Sequence, residues 1–462
     1  MPSQTKRQLY IKTWGCQMNE YDSERIGELL TQHGYQLCDD EQNADLVILN
    51  TCHIREKASE KLYSQIGRIQ ANRQAKKTSK KTQRLAIGGC VAQAEGHAVI
   101  SRAPYVDLVF GPQSYHRLPE FLAKLDRGVA KNLVATDFPE EDKFDYLPER
   151  QIGDRQAGPK KHPRQINAFL TIQEGCDKFC SFCVVPYTRG AELSRSLETI
   201  VNEAKKIVGQ GVCEITLLGQ NVNAWSGKNK KGQSCSFADL LFHISNIKGL
   251  KRLSYTTSHP ADMNDDLIFA HRDLKPLIPW LHLPVQSGSD KILKAMNRHY
   301  SCEQYLDIIA KLRKHRPDMA FSSDFIVGFP GETDEDFAKT IALIRKVEYA
   351  NSYSFIYSSR PGTPASILEN QIDRQKAQTR LQTLQQLLSA QQQSFNQKMI
   401  GKTIHVLIEK QGQNPLQIRA KSPWMQPVHF DYHADETPPN FGEIVALKID
   451  KVKGHSLFGT RI

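Results

Sequence analysis

Three cysteines in the segment EGCDKFCSFCVVPY form a CxxxCxxC motif whose spacing predicts metal chemistry. They are Cys176, Cys180 and Cys183. An iron–sulfur cube needs four ligands, so three thiolates leave one iron open to a small molecule. A closed zinc site has four ligands in two pairs, and no fourth cysteine or histidine follows at a suitable distance. We therefore predict a [4Fe–4S] cluster at this motif, with a zinc site or a disulfide as the alternatives.

A second set of three cysteines ends three strand patterns in the first 100 residues. The strands LYIKTWGC, ADLVILNTC and RLAIGGC end at Cys16, Cys52 and Cys90. Helical patterns over 21–33 and 55–72 lie between them, as in βαβ units. Because ligands of an open parallel sheet bind beyond the carboxyl ends of its strands, we expect these thiols at one edge, holding a second cluster with an open iron. Three buried structural thiols are the alternative.

The composition favours a reducing compartment and a polyanionic partner. Ten cysteines in a chain of 462 residues whose N-terminus has no apolar signal core are typical of a cytoplasmic protein that uses thiols as metal ligands. We expect packing or surface positions for the four outside both sets: Cys38, Cys213, Cys235 and Cys302. No run approaches the roughly 20 apolar residues of a membrane span. The net charge is +11, and residues 68–84, with seven basic and no acidic side chains, form either a solvated helix end or an RNA phosphate contact.

The strand and helix patterns predict an α/β fold of three domains. Residues 1–138 form an open parallel α/β sheet, and residues 139–165, rich in Pro, Gly and charge, form a linker. Residues 396–462 contain short strands that predict a small OB-like β-barrel. Between them, over 166–395, strands and helices alternate, which predicts a partial TIM-like (β/α)6 barrel. Its six candidate strands are 167–173, 214–220, 252–257, 280–285, 321–327 and 352–357.

Side chains with possible chemistry lie at the ends of these barrel strands, where catalytic groups of such barrels lie. The CxxxCxxC loop directly follows the first strand. His259 and His282 end two others, either as proton carriers or in packing roles. In the C-terminal segment nine basic residues stand against six acidic ones, with aromatic side chains between them: Trp424, Phe430 and Phe458. This mixture suits phosphate contacts and base stacking, and a barrel that only caps the protein is the alternative.

These motifs resemble those of known families. The CxxxCxxC motif resembles that of the radical S-adenosylmethionine (SAM) enzymes, in which the open iron binds SAM. TWGCQMNEYDS (13–23), NTCHIREKA (50–58) and GGCVAQ (88–93) resemble the N-terminal domain of the methylthiotransferases. That resemblance implies a second [4Fe–4S] cluster on the cysteine set of the first domain. The C-terminal segment resembles a TRAM domain, an RNA-binding module.

Further motifs of the methylthiotransferases follow in order through the predicted barrel. They are VPYTRGAELSR (185–195), LLGQNVNAW (217–225), SHP (258–260), HLPVQSGS (282–289), DFIVGFPGET (324–333) and YSSRPGTPA (357–365). The resemblance implies that Gly328 and Gly331 pass close to SAM, an approach that glycine permits because it has no Cβ. It makes Arg195 a candidate for an ion pair with the SAM carboxylate, which a guanidinium binds in a bidentate fork. Structural roles are the alternative for all three residues.

Within this family the chain resembles the branch that acts on tRNA. The implied reaction converts N(6)-dimethylallyladenosine at tRNA position 37 to its 2-methylthio form. The cluster on Cys176, Cys180 and Cys183 gives an electron to SAM, whose cleavage yields a radical that takes hydrogen from adenine carbon 2. The second cluster carries the sulfur, and a second SAM supplies the methyl group. The implied partners are the anticodon stem-loop of tRNA and a flavodoxin-type electron donor, and we expect a monomer.

Three other functions remain possible from the sequence. A related methylthiotransferase acts on threonylcarbamoyladenosine in tRNA or on an aspartate of a ribosomal protein. A non-catalytic iron–sulfur redox or regulatory protein that binds RNA would form no deoxyadenosine from SAM. A plain RNA-binding module with structural zinc would contain no iron.

Overall fold

The computed structural model describes residues 6–53, 56–75, 83–152, 165–433 and 435–462. The chain forms two compact units. The first unit contains Met1–His162, Glu174–Asp177 and Val184–Glu192, and the second contains Pro163–Gln173, Lys178–Cys183 and Leu193–Ile462. Residues 76–82, which carry most of the predicted basic stretch, lie outside the described residues.

A six-stranded parallel sheet forms the centre of the first unit. Its strands are β1 (Arg7–Trp14), β2 (Tyr35–Leu37), β3 (Leu46–Thr51), β4 (Arg84–Gly89), β5 (Leu108–Phe110) and β6 (Leu133–Ala135), in the order β2-β1-β3-β4-β5-β6. Its helices are α1 (Gln17–Gln32), α2 (Glu56–Ala75), α3 (Cys90–Glu95), α4 (His97–Arg102), α5 (Leu118–Asp126) and α6 (Val185–Arg189). Side chains alternate between the faces of a strand, so Ile48 of β3 packs into one hydrophobic cluster and Val47 and Leu49 into another. The predicted open α/β sheet is confirmed.

Residues 139–152 of the predicted linker include two buried basic side chains. Lys143 is buried in the first unit and forms an ion pair with Glu174, with 2.7 Å between Nζ and Oε2. Arg150 is also buried, and its Nη2 lies 2.9 Å from a carboxylate oxygen of Glu24. These partners are distant in the sequence, so local composition gives no sign of them. Residues 153–164 of the predicted linker lie outside the described part of the chain.

Six parallel strands of the second unit form the predicted partial barrel as two three-stranded sheets. The strands are β7 (Asn167–Thr171), β10 (Glu214–Leu218) and β13 (Arg252–Tyr255) in one sheet, and β14 (Trp280–His282), β15 (Ala320–Val327) and β16 (Asn351–Ile356) in the other. The helices are α7 (Leu197–Gly209), α8 (Phe237–Ser245), α9 (Asp265–Asp273), α10 (Asp290–Ala295), α11 (Cys302–His315), α12 (Asp334–Val347) and α13 (Arg374–Gln397). Shorter strands are β8 (Gln173–Glu174), β9 (Leu193–Ser194), β11 (Gly227–Lys228) and β12 (Ser234–Cys235).

The C-terminal strands close into the small barrel that their lengths predict. They are β17 (Thr403–Gln411), β18 (Gln417–Lys421), β19 (Pro427–Asp431), β20 (Ile444–Lys453) and β21 (Ser456–Arg461), in the closed order β17-β18-β19-β21-β20. Alternate side chains such as Val406, Ile408 and Val428 fill its interior.

Polar contacts join this closed barrel to the amino ends of the parallel strands. Arg252, the first residue of β13, donates to the carbonyl oxygens of His405, Lys421 and Ser422. Lys421 also pairs with Glu214, the first residue of β10, at 2.8 Å. The closed barrel therefore lies at the end of the strands opposite to the one that carries the candidate catalytic groups.

The aromatic residues of the closed barrel have different surroundings. Phe430 belongs to its core, and the Trp424 indole N–H donates to the Asp318 carbonyl at 2.8 Å. Phe430 is buried in the barrel core, which corrects the prediction of base stacking for that residue, whereas stacking on the half-buried Trp424 stays a prediction. Phe458 is half-buried, stacks on His429 at 5.2 Å and lies under Lys451, so it keeps the aromatic and basic character that the sequence predicts.

Candidate functional site

The structure brings the first-unit cysteines together at the carboxyl ends of three adjacent strands. Trp14, Thr51 and Gly89 are register partners at the ends of β1, β3 and β4. Cys16 caps α1, Cys52 follows β3 directly and Cys90 begins α3. The Cys52 N–H donates to the Trp14 carbonyl at 3.1 Å, which fixes two of the three strand ends. Parallel pairing in this register therefore produces the cluster of thiols that the strand patterns predict.

Two glycines permit the close approach of these strand ends. Gly15 has φ +136°, and a Cβ there would lie 2.3 Å from the Cβ of Cys52. Gly89 has φ +90°, and a Cβ there would lie 2.4 Å from Asn50 Oδ1. Both conformations exclude ordinary side chains. A glycine directly before Cys16 and before Cys90 is thus a sequence signal for this site.

The thiols of this set lie beside a buried guanidinium. A hydrogen bond with Cys52, together with the positive charge of Arg189, outweighs burial and lowers the pKa of Cys16 to about 6. Burial raises the pKa of Cys90, while Arg189 opposes that rise through its charge and a hydrogen bond. Cys16 is therefore largely a thiolate at neutral pH, the form that binds metal.

Arg189 belongs to a buried network of charges that sequence reasoning missed. Its Nη2 lies 2.6 Å from Asp22 Oδ2, and its Nη1 lies 3.6 Å from Glu174 Oε1. Glu174 also pairs with Lys143 and accepts from the Gln113 side-chain amide at 2.9 Å. Two cations and two anions balance, so the network satisfies the rule that buried charges are paired. The motif VPYTRG contains Arg189, but nothing in the sequence pairs it with Asp22.

The residues of this set fit an iron–sulfur cube better than a single metal ion. Among the described residues, no three His, Cys, Asp or Glu side chains are arranged to hold one ion. In a cube each thiolate binds a different iron, so the thiols need not converge on one point. All three candidate ligands are thiols, and the buried guanidinium beside them suits an anionic thiolate cluster.

The CxxxCxxC motif is divided between the two units. In the first unit, the Cys176 N–H donates to the Gly190 carbonyl at 3.3 Å. In the second unit, the Cys183 N–H donates to the Cys180 carbonyl at 2.9 Å. Ser181 between them donates to the Met296 and Ala295 carbonyls through its N–H and Oγ. The second half of the motif is thus a tight turn held against the end of α10.

A buried arginine contacts the second half of the motif. Arg298 donates from Nη1 to the Cys180 sulfur at 3.5 Å. Sequence reasoning missed this residue, which lies more than 100 positions from its partner and in none of the segments that resemble the methylthiotransferases.

Arg195, the predicted partner of the SAM carboxylate, is buried with a protein carboxylate. Its Nη2 lies 2.6 Å from Glu203 Oε2, and its Nη1 donates to the Thr171 carbonyl at 2.6 Å. The next residue, Ser196, caps α7 by accepting from the Thr199 N–H. These contacts give Arg195 a direct role in holding α7 to β7, and its contact with SAM stays a prediction.

Gly328 and Gly331 both need the conformational freedom of glycine. Gly328 follows β15 with φ +70°, and a Cβ there would lie 2.8 Å from the Cβ of Ala377 on α13. Gly331 has φ +80°, with open space where a Cβ would lie. Close packing against Ala377 is enough to explain the glycine at position 328. The proximity of both glycines to SAM stays a prediction.

The two strand-end histidines differ in their surroundings. His259 accepts the Ala261 N–H at Nδ1, and its Nε2 is buried without a hydrogen-bond partner. Burial, aided by the charge of Arg298, lowers the pKa of His259 to about 2, so the ring is neutral at physiological pH and cannot act there as a cationic acid. His282 contacts Ser322 Oγ at 3.0 Å and Asp324 at 3.5 Å.

Family comparisons divide the chain into three matched segments. Residues 8–111 match the uncharacterized protein family UPF0004, residues 170–344 the radical SAM superfamily, and residues 397–462 the TRAM domain. These segments correspond to the parallel sheet, most of the partial barrel and the closed barrel.

Curated relatives match over the full length. A tRNA-2-methylthio-N(6)-dimethylallyladenosine synthase of Bartonella quintana (strain Toulouse) is 53% identical over 458 residues, covering 99% of this chain and 97% of that protein. A synthase of the same name from Bartonella bacilliformis is 52% identical over 460 residues, covering 100% and 97%.

Solved structures support the fold alone. The radical SAM methyltransferase TsrM from Kitasatospora setae, with cobalamin and a [4Fe–4S] cluster bound, has a TM-score of 0.57 at 15% identity, covering 78% of this chain and 77% of that one. The cobalamin-dependent radical enzyme OxsB has a TM-score of 0.52 at 12% identity, covering 78% and 55%.

Proposed function

This chain belongs to the family of the tRNA-2-methylthio-N(6)-dimethylallyladenosine synthases, and we propose that it converts N(6)-dimethylallyladenosine at tRNA position 37 to its 2-methylthio form. The full-length match to those relatives carries the proposal. It makes the protein a transferase that uses SAM and a [4Fe–4S] cluster. The reaction replaces the hydrogen on adenine carbon 2 with sulfur, which then receives a methyl group.

Cys176, Cys180 and Cys183 hold the cluster that binds SAM. A cluster held by these residues would supply the electron for cleaving SAM, and so the oxidising power needed to remove the hydrogen on carbon 2. Gly328 and Gly331 let the backbone approach the nucleoside part of SAM. The second half of the motif supports this role, because its turn is fixed to α10 by the two hydrogen bonds of Ser181.

Cys16, Cys52 and Cys90 hold a second [4Fe–4S] cluster that carries the sulfur. Their convergence at three adjacent strand ends supports this assignment, as does the fit of thiol ligands and a buried guanidinium. With three thiolates, one iron of the cluster stays open for the sulfur that is inserted. The carboxyl edge of a parallel sheet is also where ligands of such sheets bind.

The substrate tRNA is recognised through its anticodon stem-loop. The TRAM match and the tRNA-modifying relatives support tRNA as the substrate. The target adenine must leave the base stack to reach the barrel, as in other enzymes that modify bases. Phe458 and His429, with Lys451 beside them, are candidates for contact with the RNA.

We further propose a cytoplasmic monomer that receives electrons from a flavodoxin-type protein. A cytoplasmic location suits the thiol ligands, which need a reducing environment. Among the described residues, none of the helices combines the length and the apolar run that crossing a membrane requires.

The cysteine sets provide the test of this function. Wild-type protein, reconstituted anaerobically, is expected to contain about eight irons and to form methylthiolated tRNA, since two cubes hold four irons each. Replacing Cys180 with Ala should abolish 5′-deoxyadenosine formation. Replacing Cys52 with Ala should preserve deoxyadenosine and stop thiolation, as followed by mass spectrometry of the tRNA nucleosides. Normal thiolated product from the Cys52 variant would contradict the sulfur-carrier role.

The same measurement separates this reaction from those of related methylthiotransferases. Deletion of the gene should remove the methylthio group from dimethylallyladenosine. The methylthio groups on threonylcarbamoyladenosine and on the ribosomal-protein aspartate should be unchanged. Loss of either of these two methylthio groups would assign the protein to a different branch.

A further inference from the structure

Arg298 lies in a turn that is tied to the cluster motif. Asn297, with φ +57°, donates its side-chain amide to the Lys178 and Phe179 carbonyls at 3.2 and 2.9 Å. Arg298 itself is 8% exposed. The Asn297 side chain therefore holds the turn against the CxxxCxxC motif independently of the Arg298 guanidinium.

Three separate groups fix the guanidinium of Arg298. Its Nε donates to the Tyr300 hydroxyl at 3.1 Å, its Nη2 to the Pro284 carbonyl at 2.8 Å, and its Nη1 to the Cys180 sulfur at 3.5 Å. The Tyr300 hydroxyl in turn donates to the Val285 carbonyl at 2.7 Å. The planar fork thus has one orientation, in which Nη1 points at the sulfur.

Arg298 carries a buried charge without a carboxylate partner. Most other buried arginines pair with carboxylates, namely Arg25, Arg150, Arg189, Arg195 and Arg380, whereas Arg252 donates to three backbone carbonyls. In the part of the chain that the structure describes, no carboxylate lies within ion-pair distance of Arg298, whereas its neighbours include the Cys180 sulfur. A buried cation without a counter-ion is costly, so an anionic sulfur at Cys180 would be stabilised beside Arg298.

We propose that Arg298 is the fixed counter-charge of the Cys180 thiolate, a positioning residue that raises the reduction potential of the cluster on that thiolate. The proposal depends on the proposed function only in placing a cluster on Cys180. A hydrogen bond and a positive charge at a cluster sulfur stabilise the reduced, more negative state, and both are established determinants of cluster potential. A guanidinium does not lose its proton in proteins, so the charge of Arg298 is permanent.

A charge-neutral variant tests this inference in the full-length reconstituted protein. In Arg298→Gln the equilibrium constant for reducing the SAM-bound cluster should fall about tenfold, equivalent to about 59 mV for one electron. Reductive cleavage of SAM at a fixed donor potential should slow to a similar extent. Arg298→Lys keeps the positive charge, so its reduction potential should be close to that of the wild type. The readout is a potentiometric titration followed by EPR in the presence of SAM.

Arg316→Gln is the matched control. Arg316 belongs to the same unit and donates to the His271 and Leu277 carbonyls at 2.8 and 2.7 Å, away from the cysteines. We expect this variant to lose stability without a change in potential. If Arg298→Gln loses iron, a wild-type iron content in Arg298→Lys supports the role of Arg298 as a counter-charge. Equal iron loss in both variants contradicts that role and indicates a packing role instead.

The outcomes separate this inference from the proposed function. An unchanged potential in Arg298→Gln, with wild-type protein that forms deoxyadenosine and methylthiolated tRNA, overturns the role of Arg298 alone. Wild-type protein that cleaves no SAM overturns the proposed function instead. A lowered reduction potential in Arg298→Gln, with a wild-type reduction potential in Arg316→Gln, supports the inference.

Discussion

The Arg189 guanidinium and the Asp22 carboxylate form a buried ion pair with 2.6 Å between Nη2 and Oδ2. Asp22 lies on α1, which Cys16 caps, and Arg189 ends α6, which follows the CxxxCxxC motif by two residues. The pair thus ties the segment after one cysteine set to the helix that begins at the other. Since Arg189 also lowers the pKa of Cys16, this contact couples local folding to the chemistry of a candidate ligand.

Breaking this pair is expected to destabilise the first unit. Arg189→Gln leaves the Asp22 carboxylate buried without its main partner, and breaking a buried pair in this way costs about 3–5 kcal/mol. The double variant Arg189→Gln/Asp22→Asn should lose less than the sum of the single variants. Chemical denaturation of all three proteins, in a double-mutant cycle, measures the coupling.

A surface pair provides the control for that cycle. Lys124 and Glu120 are partly exposed neighbours on α5, and Lys124→Gln should change stability little. Additive effects of the Arg189 and Asp22 substitutions would show that the buried pair contributes nothing beyond its separate side chains.

Two substitutions separate the roles of Arg195. Both Arg195→Gln and Glu203→Gln disrupt the buried pair, so each should lower the free energy of unfolding by about 3 kcal/mol. If Arg195 also binds the SAM carboxylate, the Kd for SAM should rise about tenfold or more in Arg195→Gln, or about 1.4 kcal/mol. Equilibrium binding of SAM to the reconstituted proteins measures this difference. An equal rise in the Kd for SAM in both variants would show that Arg195 has only a structural role.

The cysteine sets and the strands were predictable because short-range patterns specify them. Alternating or continuous apolar runs give the strands, and a shared position at the strand end places Cys16, Cys52 and Cys90 at one edge. α1 starts at Gln17, earlier than its apolar pattern predicts, and Cys16 is its N-cap residue without a capping hydrogen bond from the side chain.

The long-range charge pairs could not be predicted from the sequence. The composition around Lys143 predicts a polar linker, and the structure pairs this residue with Glu174, 31 positions away. Arg298 and Cys180 are 118 positions apart. No local pattern encodes such contacts, because a charged residue at the surface and one in a buried pair have the same sequence signature.

The contact between the closed barrel and the parallel strands depends on Lys421. Despite burial, which lowers it, the charges of Glu214 and Glu409 raise the pKa of Lys421. Lys421→Ala leaves Glu214 buried without a cation, and we expect a loss of about 3 kcal/mol together with faster proteolysis of residues 396–462. Lys410, exposed on the neighbouring strand β17, is the control, and Lys410→Ala should leave the proteolysis rate unchanged. Equal rates in both variants would show that Lys421 does not hold the barrel in place.

The stability of the second unit should fall in mild acid because of a buried histidine. His271 is 1% exposed and its Nε2 lies 2.6 Å from the Tyr255 hydroxyl. Burial, aided by Arg316, lowers the pKa of His271 to about 3, so the folded protein keeps the ring neutral while the unfolded chain binds a proton near pH 6.5. Between these values the unfolded state holds more protons, so stability is lost as the pH falls below about 6.5. From pH 7 to pH 5.5 this one group should cost about 1 kcal/mol.

A variant without the titrating group isolates this contribution. His271→Gln should be less stable at pH 7, because it disturbs a packed site, but its stability should fall about 1 kcal/mol less between pH 7 and pH 5.5 than that of the wild type. His243, exposed on α8, is the control, and His243→Gln should keep the wild-type pH dependence. Denaturant unfolding followed by tryptophan fluorescence measures the slope, since Trp225, Trp280 and Trp424 all belong to the second unit. A parallel decline of wild type and His271→Gln would mean that His271 is protonated to the same extent in both states, and the acid sensitivity would then lie in other groups.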